Sequence, residues 1–322
     1  MWMTGGNLKP MRHWPQKLTV ILATGYILSF FSERVFWSFF RPGDKVIDLL
    51  LAWIVYSILA WVFLLLVRAC RIATFPALFL VGAVFGWLAE GVVVDTLYGS
   101  QDNPFPVSIS FTGLAWHALL SVGVGWYWQA RLLTRGNLKQ IALFASIVGL
   151  GWGLWAGWWP AELGWANTSL AAFAGHTVVT SILLILAWLI LGAAGPGWFQ
   201  PAKYELWVLS GVVTLFFLAV RVPATPRSAW ILPPLLLVCA YGLRRNQRHE
   251  QALDLVQTVV GQIRPRACLP LVLMPMTAIA VYAPVPTWEL SLPSNWVLYV
   301  VTMPMGFFFL IRSLWHLQRK SL

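Results

Sequence analysis

Apolar segments long enough to cross a lipid bilayer recur along almost the whole chain. A bilayer core requires about 20 consecutive, mostly apolar residues for each spanning helix. Segments of this kind lie at 18–40, 46–67, 75–97, 108–129, 139–160, 169–193, 205–222, 229–243, 267–284 and 296–315. The sequence therefore predicts an all-α fold, a polytopic integral membrane helical bundle with about ten transmembrane helices.

Composition supports this class and excludes a nucleic-acid-binding protein. Hydrophobic residues make up 59% of the chain and charged residues only 10%, whereas about a quarter of a soluble domain is charged. The net charge of +11 does not indicate binding to nucleic acid, because the basic residues lie in short loops between the predicted spans. Many of the 21 Trp residues lie near predicted helix ends, where indole rings favour the membrane interface.

The distribution of Lys and Arg predicts the orientation of the bundle. With a cytoplasmic N-terminus and ten helices, 17 of the 22 basic residues fall in inner segments, as the positive-inside rule requires. The five exceptions lie at outer ends, and they are Arg34, Arg41, Lys45, Arg221 and Arg227. We therefore expect a multi-pass protein of the cell membrane with both termini in the cytoplasm.

A stretch rich in helix breakers, GAAGPGWFQPAK, divides the chain. We predict a six-helix membrane region at 1–192, a Gly/Pro-rich connector at 193–204 and a four-helix membrane region at 205–322. Within the last region, the segment 244–266 has apolar residues at helical spacing. It is either a cytoplasmic amphipathic helix in the inner headgroup region or a connector helix packed on the bundle.

Several ionisable residues lie inside the predicted spans, where a charge is costly. Glu33 and Arg34 interrupt the first span, and Glu90 interrupts the third; each carboxylate lies about 10 Å from the outer end at helical rise. Asp95 is expected at the interface. Glu33 and Arg34 can be explained by neutralisation of neighbours or by snorkelling, but Glu90 has no cation within a turn and needs a partner on another helix or a wet cavity.

Two histidines share the depth of Glu90. His117 in the fourth span and His176 in the sixth lie about 12–13 Å inward from the outer end. A lone membrane histidine commonly makes an interhelical hydrogen bond, whereas a carboxylate with imidazoles can form an acid/base pair or a metal site. We expect Glu90, His117 and His176 to face one polar cavity open to the outer leaflet, as candidate catalytic residues and candidate metal ligands.

The fifth span carries glycines at 149, 151, 153 and 157, interleaved with Trp residues. Glycine allows two membrane helices to approach closely. We therefore predict close packing of another helix on this face, with the aromatic rings on the opposite side.

The runs WLAEG, FTGLAWH and FAGHTVVT place Glu, His and His on successive membrane helices. In this order they resemble the CPBP family of intramembrane endopeptidases, which includes the CAAX prenyl proteases, and the resemblance covers only residues 86–181. It implies a water molecule activated by Glu90 that attacks a peptide bond, with His117 and His176 in supporting positions.

Three classes of function remain open. The first is a membrane-embedded, hydrolase-like or protease-like enzyme acting on a membrane or lipid-linked substrate. The second is a transporter or a proton-conducting or ion-conducting protein, and the third is a non-catalytic subunit of a larger complex. The chain has no P-loop, H-E-x-x-H or G-x-S-x-G motif, and it indicates no particular cofactor. Membrane lipids are the partners that the composition implies.

Overall fold

The computed structural model describes residues 14–35, 45–101, 103–195, 197–202, 204–247 and 255–319. All regular secondary structure in these ranges is helical. The long helices are α1 (Trp14–Ser29, continued by the π-helical turn Phe30–Arg34), α2 (Val46–Ala69), α3 (Phe75–Val93), α4 (Ser108–Arg135), α5 (Leu138–Leu163), α6 (Leu170–Ala193), α7 (Glu205–Ala224), α8 (Ser228–Gln247), α9 (Pro265–Thr287) and α10 (Ser294–Arg319).

Eight helices in the described part of the chain are long and apolar enough to cross a membrane, namely α2 to α7, α9 and α10. The protein is therefore a multi-pass, all-α membrane bundle. Helices α1 and α8 occupy the positions of the first and eighth predicted spans but fall outside this set. The charged residues Lys17 and Glu33 interrupt α1, and two consecutive prolines lie within α8. The count of ten spans remains a prediction.

Helices α3 and α4 lie at the centre of the bundle. The most apolar stretch of α3 is 83% buried and that of α4 is 78% buried, whereas the corresponding stretch of α7 is only 11% buried. Helix α3 packs against α2, α4, α8 and α10. Most side chains on α3 and α4 therefore meet other helices instead of lipid, and this decides the environment of Glu90 and His117.

The glycine face of α5 packs closely on α9, as predicted. A Cβ atom at Gly149 would clash with the carbonyl oxygen of Met274, and one at Gly153 would clash with that of Ala278. Gly151 instead faces open space. The close contact therefore involves Gly149 and Gly153 but not Gly151, because Gly151 lies on a different side of the helix.

Helices of the two predicted regions pack on one another. Helix α9 contacts α5 and α6, and α10 contacts α3 and α4. The division at 193–204 remains a prediction from the sequence alone.

The described part of the segment 244–266 packs on the bundle. A short helix, Leu255–Val259, has Leu255, Val256 and Val259 buried, and the backbone nitrogen of Leu255 donates to the carbonyl of Ile72 at 2.9 Å. This favours the connector over the headgroup helix for residues 255–266, while 248–254 lie outside the described residues.

Candidate active site

Three π-helical segments meet at the end of the bundle that carries the α3–α4 connection. We call this end the outer end, after the orientation that the loop charges predict. The segments are Phe30–Arg34 in α1, Ala89–Val93 in α3 and Phe111–Trp128 in α4. π-helical turns are rare in proteins, and those that occur are often found at functional sites. The three segments carry Glu33, Glu90 and His117.

A chain of hydrogen bonds connects these segments. The Nε2 atom of His117 lies 2.7 Å from Oε1 of Glu90, and its Nδ1 atom lies 3.0 Å from Oγ of Ser32. The hydroxyl of Ser121 lies 2.9 Å from Oγ of Ser32. The imidazole is therefore held at both nitrogens, between a carboxylate on α3 and a hydroxyl on α1.

Gly86 allows Glu90 and His117 to meet. It lies one helical turn before Glu90, and a Cβ atom here would clash with the carbonyl oxygen of Gly113 and lie 2.8 Å from Cβ of His117. Because glycine has no side chain, α3 and α4 approach closely at this level. The ring of Phe85 packs edge-on against the imidazole with centroids 5.6 Å apart, which restricts its orientation.

Glu90 and His117 line a cavity of about 650 Å³. Ser32, Glu33, Glu90 and His117 form its polar wall, and the hydroxyl of Tyr56 donates to Oε1 of Glu33 at 2.8 Å. Aromatic side chains also line the cavity, and they are Phe111, Trp116, Trp158, Trp296 and Tyr299. The cavity therefore combines an acid/base group with a surface suited to an apolar or amphipathic ligand.

Glu162 also lines the cavity, but its contacts are structural. Its carboxylate accepts from the backbone nitrogen of Trp296 at 2.9 Å and from the side-chain amide of Asn295 at 2.8 Å. Both donors lie in the first turn of α10, where backbone N–H groups lack helical partners. Glu162 thus fixes the outer end of α10 against α5.

The loop after α3 closes over Glu90. The hydroxyl of Thr96 donates to the Glu90 carboxylate, and Arg221 on α7 donates to the carbonyl of Val93 at 2.7 Å. Asp95 lies 3.7 Å from Arg221, with its side chain 64% exposed. Asp95 is therefore a surface partner of Arg221, consistent with its expected place at the interface.

The structure brings together Glu90 and His117 but places His176 elsewhere. His176 lines a second cavity, with Arg34, between α1, α2 and α6, and its ring lies beside the backbone of Arg34. The expected sharing of one cavity by all three residues is therefore not seen. Equal depth does not ensure proximity, because His176 approaches another face of α1.

The candidate metal ligands are separated in the same way. In the ranges that the structure describes, no three His, Cys, Asp or Glu side chains converge as a set that could hold a metal ion. Glu33, by contrast, reaches the cavity of Glu90 and His117, a position that the sequence left open between neutralisation and snorkelling.

Sequence reasoning missed four polar partners, namely Ser32, Tyr56, Thr96 and Ser121. Hydroxyl residues are common in membrane helices and cost little there, so they carry a weak signal individually. Ser32 had one available signal, its position beside Glu33 in the run SFFSER. Its contact with His117 depends on the neighbouring helix and could not be read from the run.

Comparison of the chain with family models, curated proteins and solved structures finds no match. Function must therefore be argued from the chemistry of the site, since a fold alone does not specify an activity.

Proposed function

We propose that the protein is a membrane-embedded hydrolase whose active site is the cavity at the outer end. The observation that carries this proposal is the continuous contact from Glu90 through His117 to Ser32, with distances of 2.7 and 3.0 Å. A carboxylate, an imidazole and a hydroxyl in this order form the orienting group, the base and the nucleophile of hydrolases on unrelated folds.

Each group has a defined role in this proposal. The Glu90 carboxylate holds the proton of His117 on Nε2, which leaves Nδ1 free to accept the hydroxyl proton of Ser32. The Ser32 oxygen then attacks the carbonyl carbon of an ester or amide, and His117 returns the proton to the leaving alcohol or amine. Water activated by His117 releases the acyl group from Ser32.

The cavity wall favours a membrane or lipid-linked substrate. Aromatic rings such as Trp116 and Trp296 form an amphipathic surface at the predicted depth of the outer leaflet. An acyl or prenyl chain can contact these rings while its ester or amide reaches Ser32. The proposed site thus combines the hydrogen-bonded groups Glu90, His117 and Ser32 with an aromatic, largely apolar lining.

The resemblance to intramembrane endopeptidases suggests a variant of this chemistry. In that variant Glu90 and His117 activate a water molecule directly, and no acyl-enzyme forms. The contact of Glu90 with His117 is compatible with both routes, but only the first requires the hydroxyl of Ser32.

Labelling with an alkyl fluorophosphonate tests the proposal in the purified, detergent-solubilised protein. This probe reacts with activated serines, so we expect covalent modification of Ser32, located by mass spectrometry. Labelling should be absent in Ser32→Ala and should fall by about 100-fold or more in His117→Ala, because the general base is lost. Hydrolysis of 4-nitrophenyl acyl esters should fall in parallel.

Ser121→Ala is the matched control, since Ser121 contacts Ser32 but not the imidazole. It should keep labelling within about threefold of the parent. Ester hydrolysis that persists in Ser32→Ala but disappears in Glu90→Gln would favour the water route. Absence of both labelling and hydrolysis in the folded protein would overturn the hydrolase proposal.

Proton-coupled transport is the second candidate, favoured because the hydrogen-bonded chain continues from Glu90 through His117 and Ser32 to Ser121. Protein in liposomes with an internal pH-sensitive dye distinguishes the two. Proton flux that depends on His117, without any serine labelling, would favour transport.

The proposal places the site in the outer half of the cell membrane, with both termini in the cytoplasm. Reporter fusions after Lys139 should give a cytoplasmic signal, and fusions near Asn103 an external one, because loop charges orient the helices. Reversed signals would move the site to the cytoplasmic half.

A further inference from the structure

A second, larger cavity lies as a lateral groove between α1, α2 and α6. Its volume is about 970 Å³, and its walls are mainly aliphatic, with Leu22, Leu50 and Leu183 among them. It opens on the side of the bundle that faces lipid, where Leu50, Val179 and Leu183 are exposed. The groove shares no lining residue with the cavity of Glu90 and His117.

Small residues on α6 create the groove. Ala171, Ala172 and Gly175 line it, and a Cβ atom at Gly175 would meet nothing within 4 Å. The hydroxyl of Tyr26 on α1 donates to the carbonyl of Thr180 on α6 at 2.9 Å. The two helices are thus tied together beside an open channel instead of packing along their whole length.

The shape of the groove suits an extended hydrocarbon chain. It runs beside α1 from Thr19 to Arg34, which is about 22 Å at helical rise. The hydrocarbon core of a bilayer is about 30 Å thick, so one leaflet accounts for about 15 Å and one acyl chain can lie along about two thirds of the groove from the outer end.

A basic side chain lies at the outer end of this apolar groove. Arg34 lines it and is half-buried, and the ring of His176 lines the same cavity. The neighbouring carboxylate, Glu33, accepts the hydroxyl of Tyr56 and lines the other cavity. Among the described residues no carboxylate forms an ion pair with Arg34.

An arginine at the mouth of a hydrocarbon groove has the chemistry to bind a lipid phosphate, because guanidinium donates paired hydrogen bonds to phosphate oxygens. We propose that the α1/α2/α6 groove binds a phospholipid with an anionic headgroup, whose chain lies in the groove and whose phosphate contacts Arg34.

Native mass spectrometry of the purified protein, exchanged into phosphatidylglycerol or phosphatidylcholine of equal chain length, tests this inference. We expect retention of phosphatidylglycerol at least about tenfold above that of phosphatidylcholine, equivalent to about 1.4 kcal/mol. Both lipids carry a phosphate, but the choline ammonium neutralises it in phosphatidylcholine and so weakens its attraction to Arg34. Equal retention of the two lipids would overturn the inference. Free glycerol phosphate should not compete, because it lacks the chain.

Two variants separate the chain from the headgroup. Gly175→Trp fills the groove and should abolish the preferential retention, whereas Gly151→Trp is the matched control, because Gly151 also faces open space but lies on α5. Gly175→Leu serves in the same way if the Trp variant does not fold. Equal retention by the Gly175 and Gly151 variants would show that lipid binds elsewhere.

The variant Arg34→Gln tests the contact between Arg34 and the lipid phosphate. It should reduce phosphatidylglycerol to the level of phosphatidylcholine while both lipids remain bound through the chain. An unchanged preference in this variant would exclude Arg34 as the headgroup contact. Fluorophosphonate labelling of Ser32 should continue in Gly175→Trp, so this inference and the proposed hydrolase can fail independently.

Discussion

Among the residues that the structure describes, Glu90 and Glu205 each contact a basic side chain, and the surroundings of the two contacts differ. At the outer end, Glu90 contacts His117 beside an open cavity. At the opposite end, Glu205 at the start of α7 contacts Lys17 on α1, and neither residue lines either of the two cavities. The comparison shows that two similar pairs can differ in access, since only the pair of Glu90 and His117 borders a cavity that a ligand could enter.

The Lys17–Glu205 pair is enclosed by further partners. The Glu205 carboxylate accepts from the backbone nitrogen of Ala202 at 2.8 Å and from the indole nitrogen of Trp61 at 3.1 Å. The ammonium of Lys17 lies 5.5 Å from the ring centroid of Trp14 and 5.8 Å from that of Phe199. This pair therefore ties α1 and α2 to the connector before α7, and both charges are compensated within the protein.

The largest expected effect is on stability, at the enclosed pair. Lys17→Ala leaves the Glu205 carboxylate buried without its cation, which costs about 3–5 kcal/mol. Unfolding in detergent, followed by circular dichroism, measures this loss. The double variant Lys17→Met with Glu205→Met should recover much of it, since no charge is then left uncompensated. A loss below about 1 kcal/mol in Lys17→Ala would mean that the pair is not structural.

The open pair should show the reverse behaviour. Glu90→Gln keeps an oxygen that can accept from Nε2 of His117 but removes the charge that stabilises the imidazolium. We expect Ser32 labelling and ester hydrolysis to fall by about 100-fold, equivalent to about 2.7 kcal/mol, while the free energy of unfolding changes by less than about 1 kcal/mol. Retained activity with a large loss of stability would make Glu90 structural, like Glu205.

Gly86→Ala should affect both properties. The added methyl group clashes with the carbonyl of Gly113 and crowds His117, and such overpacking costs about 1–3 kcal/mol. Labelling of Ser32 should also decrease, because α3 and α4 move apart. Gly151→Ala is the matched control and should be neutral or slightly stabilising, since a helical Ala is favoured by up to about 1 kcal/mol. Equal behaviour of the two variants would argue against the close approach.

The smallest effect is expected at Asp95. Its exposed pair with Arg221 contributes about 0–1 kcal/mol, so Asp95→Asn should change the midpoint of unfolding little and labelling by less than about threefold. Added salt should change the difference in unfolding free energy between variant and parent by no more than about 1 kcal/mol. A loss of labelling comparable to that of Glu90→Gln would place Asp95 in the reaction and break the distinction between the surface and the cavity.

The membrane bundle could be predicted from the sequence because the features that indicate it can be read along the chain. The length of an apolar segment and the charge of a loop can be read without knowing which helices are neighbours. The common depth of Glu90 and His117 follows from the same information, since helical rise converts position into depth. The close packing at Gly149 and Gly153 was predicted for a similar reason, because glycine permits contact whatever the partner.

Contacts between side chains on different helices could not be predicted in this way. Lys17 has the sequence context of an inner basic segment, yet it is buried against Glu205, which lies 188 positions along the chain. His176 has the depth of His117 but contacts the backbone of Arg34. Ser32 is marked in the sequence only by its position beside Glu33, yet its hydroxyl lies 3.0 Å from Nδ1 of His117.

The amino-acid sequence by itself determined that this chain is an all-α, multi-pass membrane protein and that Glu90 and His117 share one depth. Only the tertiary structure decided that Glu90 pairs with His117 and Ser32, that His176 joins Arg34 beside a separate groove, and that Lys17 pairs with Glu205. The physical reason is that depth follows from rise along one helix, whereas contact depends on the rotation and neighbours of several helices, which are set by packing over the whole bundle.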